Sequence, residues 1–282
     1  MINQIKTILL LGVLTGLLLL IGSLIGGQQG LFIALIFALL MNFVTYWFSD
    51  KIVLAMYRAK EASKSQSPVL HSIVEEICKK TGLPKPKIYI IPIDTLNAFA
   101  TGRNPKNAAV AATEGILKAL NKDELRGVLA HEMGHIKNRD ILITTIAATI
   151  ASIISYIAYM ARWAAIFGSG DRDRGGSVNI IGLLLLSILA PIAALVIQLA
   201  ISRSREYFAD ETGAKTLKDS ESLASALEKI ERSVKINPLR FGNAATSSLF
   251  IVNPFSGQAF ITLFSTHPPT HERAKRLRAM KF

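Results

Sequence analysis

Residues 7–49 read TILLLGVLTGLLLLIGSLIGGQQGLFIALIFALLMNFVTYWFS, and no charged side chain occurs between Lys6 and Asp50. One continuous helix of this run would be about 65 Å long, roughly twice the thickness of a bilayer's hydrocarbon core. Gly26-Gly27-Gln28-Gln29-Gly30 interrupts it. The run therefore predicts a helical hairpin, with spans at 7–25 and 31–48. A cleaved leader is the competing reading of the first span. Against it stand the length of the apolar stretch, the lack of an Ala-x-Ala-like site and the second span that follows at once.

A second pair of charge-free stretches lies at 141–161 and 175–202, joined by the polar loop 168–174. Arg162 at the end of the third stretch predicts a snorkelling side chain, Trp47 and Trp163 predict interfacial anchors, and Pro191 predicts a kink. The expected order is a transmembrane hairpin at 7–48, a polar segment at 49–140, a second hairpin at 141–201 and a polar segment at 202–282.

The chain carries 32 Lys+Arg against 20 Asp+Glu, a net charge of +12, and half of its residues are hydrophobic. The segment 51–140 holds 15 Lys+Arg and 202–282 holds 13, whereas the loop 26–30 holds none. The positive-inside rule then puts both termini and both polar segments in the cytoplasm of a multi-pass cell-membrane protein. The surplus charge reads as a topology signal and an attraction to anionic lipid of the bilayer. No basic-aromatic, helix-turn-helix or zinc-finger pattern is present, so no nucleic-acid partner is expected. The single cysteine, Cys78, excludes an intramolecular disulfide framework.

Within the polar segments, apolar spacing predicts a helix over 69–81, with His71 and Cys78 in packing or surface positions. Strands are expected at 87–91, 96–101 and 108–112, the last two joined by a turn at 102–107, and helices at 113–120 and 122–139.

The last of these helices contains His131-Glu132-Met133-Gly134-His135. Residues four apart share one helix face, so both imidazoles can reach one metal ion, and Glu132 lies where it can contact a metal-bound water. Imidazole pairs suit Zn²⁺, and a catalytic zinc takes three protein ligands and keeps a position open. The His-x-x-Gly-x-x-His spacing that would supply a third histidine is absent, which points to a downstream carboxylate. Glu206, in Ser202-Arg-Ser-Arg-Glu-Tyr-Phe-Ala-Asp210, starts a helix that emerges from the fourth span. His135 and Glu206 each lie on the order of 10 Å of helix from the same membrane face. Asp210, one turn after Glu206, is placed to accept from the remaining ring N–H of a ligand histidine.

The four spans, Asn97-Ala-Phe-Ala-Thr-Gly102, the helix at 128–140, the segment 202–210 and Ser265-Thr-His-Pro-Pro-Thr-His-Glu-Arg273 together resemble the HtpX family. That family comprises inner-membrane zinc endopeptidases related to the CAAX prenyl endoproteases, and the resemblance covers essentially the whole chain. It implies a mainly α membrane protein with a cytoplasmic α+β zincin-like protease domain and a small sheet. It further implies one Zn²⁺ per chain held by His131, His135 and Glu206, with Glu132 as catalytic base. The implied role is quality control of misfolded or damaged membrane proteins, with other membrane proteases as partners.

On this reading, His267 or Arg273 supplies a donor to the developing oxyanion, while Thr270 caps the last helix and His271 is structural. The strand at 96–101 would hold an extended substrate by edge pairing, with Asn97 on the substrate backbone or capping the turn. The stretch 238–258, rich in small residues, is expected to be mobile beside the cleft. Charged residues on both sides of the His-Glu-x-x-His motif argue against a site inside a span. An intact Glu132 argues against a purely structural zinc, and spans free of deep charges argue against a transporter.

Overall fold

The computed structural model describes residues 2–147, 149–150, 203–236, 249–252 and 268–282. Most of the second expected hairpin, with Arg162, Trp163 and Pro191, lies outside them, as do His267 and all of 238–258 except 249–252.

Helix α1 (Ile2–Met56) is broken at Gly27, which takes φ 56°, ψ −137°, a conformation disfavoured for residues with a Cβ. The chain turns back there, and Asn42 Nδ2 donates to Thr15 Oγ1 at 2.7 Å across the two halves. Gly27–Met56 is long and apolar enough to cross a membrane, and Ile8–Ser23 is a shorter apolar helix. Leu10, Leu14, Leu17 and Ala38 from the two halves pack on Ile143, Ile146 and Ile150, so the described helical residues of 141–150 lie against this hairpin.

A four-stranded sheet follows in the order β1 (Lys60–Glu61), β2 (Lys87–Ile91), β4 (Ala108–Thr113), β3 (Ala98–Gly102). β1 runs antiparallel to β2, β2 parallel to β4, and β3 antiparallel to β4, with Ala98 opposite Ala112 and Gly102 opposite Ala108. The strands expected at 87–91, 96–101 and 108–112 are thus present within two residues. β1 adds a pair too short to show any alternation. Four of the six residues of β4 are alanine, and all six are buried.

Further helices in the described residues are α2 (Pro68–Thr81), α3 (Glu114–Ala119), α4 (Lys122–Lys137), α5 (Arg203–Leu217), α6 (Glu221–Ile236) and α7 (Thr270–Arg278). α4 starts on a capping box: Asn121 Oδ1 accepts from Glu124 N and Glu124 Oε2 accepts from Asn121 N, both at 2.9 Å. Such a cap contributes about 1 kcal/mol. One core joins Leu70 and Ile77 of α2, Val110 of β4, Leu129 of α4, Leu227 of α6 and Leu277 of α7. Glu124 is held from the far side by Lys229 Nζ at 2.8 Å and Ser225 Oγ at 2.9 Å, which ties α6 to the start of α4.

α4 and α5 touch at backbone distance. A Cβ on Gly213 would stand 2.9 Å from His131 N, and one on Gly134 would stand 3.0 Å from Ala209 O. Gly213→Ala is therefore expected to force the two helices apart, destabilising the fold by about 1–3 kcal/mol. Denaturant midpoints compare the variants, and an unchanged midpoint would show the contact to be slack.

Candidate metalloprotease site

The close approach of α4 and α5 decides the site. His131 and His135 share the face of α4 that meets α5, and Glu206 sits in the first turn of α5. His131 Nε2 and His135 Nε2 are 3.2 Å apart. Glu206 Oε2 is 3.7 Å from the first nitrogen and Glu206 Oε1 is 3.6 Å from the second. Ligand atoms about 2.1 Å from a tetrahedral ion stand about 3.4 Å from one another, so the three donors have the spacing such an ion requires. Among the described residues this trio forms the group able to hold a metal, its ligand atoms lying within 4.8 Å of one another.

The other ring nitrogen of each histidine is engaged. His131 Nδ1 is 2.9 Å from Asp210 Oδ1, and His135 Nδ1 is 3.2 Å from both oxygens of Asp140. A carboxylate on Nδ1 fixes the tautomer and leaves the Nε2 lone pair for the metal. Asp210, one turn after Glu206, thus sits against His131 Nδ1. Asp140 is the partner that sequence reasoning missed. After α4 ends, Arg139 takes φ 57° and Asp140 N donates to His135 O at 3.2 Å, a turn that swings Asp140 back under the imidazole. The signal available in the sequence was only an acid five residues after His135.

Among the described residues, Arg273 of α7 is the largest fully buried side chain, 1 % exposed. Its Nε donates to Asp210 Oδ2 at 2.9 Å and its Nη2 to Asp210 Oδ1 at 2.7 Å, a two-pronged pair, while Nη1 donates to Ile251 O at 2.9 Å. Burial works against both charges of the pair. The guanidinium outweighs it and holds the Asp210 carboxyl at about 2, and the carboxylate keeps Arg273 protonated. Arg273 is thus turned to Asp210 and Ile251, with Nη1 still 3.7 Å from Glu206 Oε2.

Glu132 points from α4 to the sheet, where its Oε2 accepts from Ala100 N of β3 at 2.8 Å. β3 is an edge strand, and this amide faces away from β4. Burial pushes the Glu132 carboxyl up, against the nearby imidazoles. Burial alone would lower His135, but Asp140, followed by Glu206 and Glu132, outweighs it and holds its pKa at about 10. The cluster is electrostatically arranged for a cation, which a metal supplies with both imidazoles neutral.

Asn97, buried at the start of β3, donates through Nδ2 to Leu249 O at 3.3 Å and accepts at Oδ1 from Ile251 N at 3.0 Å. The amide thus pairs with extended backbone, here that of the same chain. Leu249, Phe250 and Ile251 line the cavity over Glu132 and His135, whose volume is about 30 Å³. His71 Nε2 donates to Ala62 O at 2.8 Å, a contact within the packing of α2. His271 is exposed.

Two histidines and a glutamate presented by crossing helices, with a buried glutamate beside an edge strand, define a metalloprotease. The sequence pattern of peptidase family M48 matches residues 64–281, and the chain belongs to that family of peptide-bond hydrolases. It is 58% identical over 274 residues to the "Protease HtpX homolog" of Pyrococcus furiosus, covering 97% of this chain and 94% of that one. It is also 58% identical over 281 residues to the "Protease HtpX homolog" of Persephonella marina, covering 99% and 97%. Among solved structures, the fold resembles that of Ste24p from S. mikatae with a TM-score of 0.51 at 18% identity. That match covers 98% of this chain and 65% of Ste24p.

Proposed function

We propose that the chain is a membrane-bound, zinc-dependent endopeptidase that cleaves misfolded or damaged membrane proteins at the cytoplasmic face of the cell (inner) membrane. The observation that carries the reading is the convergence of His131, His135 and Glu206 beside Glu132. Four spans in two hairpins, with both termini in the cytoplasm, fit the charge pattern of the sequence. The soft-neutral imidazoles and single carboxylate suit Zn²⁺ among common divalent metals.

His131, His135 and Glu206 would hold the ion, which supplies Lewis acidity and lowers the pKa of a water at its open position. Glu132 takes a proton from the attacking water and delivers it to the leaving amine. Ala100 N holds Glu132 in place for this. Asp210 and Asp140 orient the two imidazoles, and Arg273 fixes Asp210. His267 is the proposed donor to the oxyanion of the substrate. The outer edge of β3, apart from the Ala100 amide held by Glu132, receives substrate as an added strand, with the Asn97 amide reading its backbone, so that recognition depends little on side-chain identity.

The test is metal content together with cleavage of casein by the detergent-purified full chain. One zinc per chain and chelator-sensitive cleavage are expected, and Glu206→Ala is expected to lose both. A Glu206→Ala protein that keeps one tightly bound zinc would overturn the ligand assignment.

A further inference from the structure

A cavity of about 430 Å³ lies where the second half of α1 meets the turn between β3 and β4, and it shares no lining residue with the cavity over Glu132 and His135. From α1 it is lined by Phe43, Trp47, Asp50 and Lys51, and from the turn by Arg103 and Lys106. The turn is rigid, because Asn104 Oδ1 accepts from Lys106 N and Asn107 N, both at 3.1 Å. The Arg103 guanidinium lies 4.2 Å from the Trp47 ring centroid, and Lys51 Nζ lies 5.2 Å from that of Phe48.

Two other lysines of this cavity are already matched, Lys85 by Glu75 at 2.8 Å and Lys87 by Glu61 at 3.3 Å. Lys51, Arg103 and Lys106 show no ion pair among the described residues. Phe43 and Trp47 are 56% and 46% exposed, at the end of the apolar half-helix where interfacial aromatics gather. Asp50 Oδ1 is buried in the same place with no hydrogen-bond partner among the described residues.

We propose that this cavity binds the headgroup of an anionic glycerophospholipid that carries a free hydroxyl, of the phosphatidylglycerol type. Lys51, Arg103 and Lys106 take the phosphodiester, a headgroup hydroxyl donates to the Asp50 carboxylate, and the acyl chains run down Phe43 and Trp47 along the span. Asp50 also explains a preference for a phosphodiester over inorganic phosphate, since its charge repels a dianion more than a monoanion. A soluble anion would leave the aromatic face uncovered. The inference rests on the membrane-spanning reading of α1 and not on the catalytic one, and it is tested by binding.

The chain holds two tryptophans, so Trp163→Phe leaves Trp47 as the reporter. The full chain in neutral detergent is titrated with dihexanoyl-phosphatidylglycerol, dihexanoyl-phosphatidylcholine and inorganic phosphate, following Trp47 emission. Half-saturation by the phosphatidylglycerol is expected at a concentration at least about 10-fold below that of the phosphatidylcholine. Arg103→Gln with Lys106→Gln is expected to raise its midpoint about 25-fold, roughly fivefold per charge removed. Lys215→Gln with Lys235→Gln removes the same charge elsewhere and is expected to leave the midpoint within twofold. Equal midpoints for the two lipids, an equal loss in the remote pair, or displacement by phosphate at comparable concentration would each overturn the proposal.

Discussion

Glu132→Gln is expected to lower kcat for casein cleavage by about 10²–10⁴-fold while leaving one zinc bound per chain. The substitution keeps the size of the side chain, and its amide oxygen can still accept from Ala100 N, which is 2.8 Å from Glu132 Oε2. What disappears is the group in the cavity placed to carry a proton from water to amine. Glu132 contributes no ligand atom to the trio of His131, His135 and Glu206, so metal content should not follow activity down. Peptide release and zinc content measured on the same preparation separate the two effects. A variant that cleaves at the wild-type rate would sink the assignment of the base.

Arg273→Met is expected to give the largest loss of stability, about 3–5 kcal/mol, because it strands a buried carboxylate. Asp210 is 4 % exposed, and the guanidinium contacts it through two donors at 2.9 and 2.7 Å. Adding Asp210→Leu removes the stranded charge and should restore most of the stability. The restored protein should nonetheless bind zinc about 10–100-fold more weakly, since nothing then holds His131 Nδ1. Denaturation midpoints and zinc affinities of the two single variants and the double variant complete the cycle. Independent, additive losses would show that Arg273 and Asp210 do not act as a pair.

The parts of the site carried by local spacing were legible in the sequence. His131 and His135 lie four apart on a helix whose cap, Asn121 with Glu124, is local as well. Glu206 was legible from its place after a charge-free stretch rather than from its own surroundings. Its pairing with the histidines depends on Gly134 and Gly213, small residues that read as unremarkable until two helices are seen in contact. Asp140 escaped notice because a left-handed Arg139, an uncommon conformation for a side-chain-bearing residue, is what aims it. Arg273 was singled out as a donor near the reaction. Its actual engagement with Asp210 is set by the docking of α7, which no periodicity encodes. β1 has two residues and is recognisable only from its partner, β2. In α6, Leu223, Leu227, Ile230 and Val234 do repeat at helical spacing, and they bury as that spacing demands.

The segment Leu249–Ile251 gives the site a ligand of its own. A space of about 30 Å³ admits a water or two and no peptide. The hydrogen bonds from Asn97 to Leu249 O, from Ile251 N to Asn97 and from Arg273 to Ile251 O are of the kind an extended substrate would make. A substrate that took the place of this segment would have to displace a tethered competitor at an effective concentration on the order of millimolar. Short peptides, which would replace few of these bonds, would then be held to weak apparent affinity. Long unfolded chains, which can add contacts along β3 beyond the displaced segment, are favoured. Selection for substrate length can thus arise from competition with the protein's own backbone, with no pocket that reads a side chain.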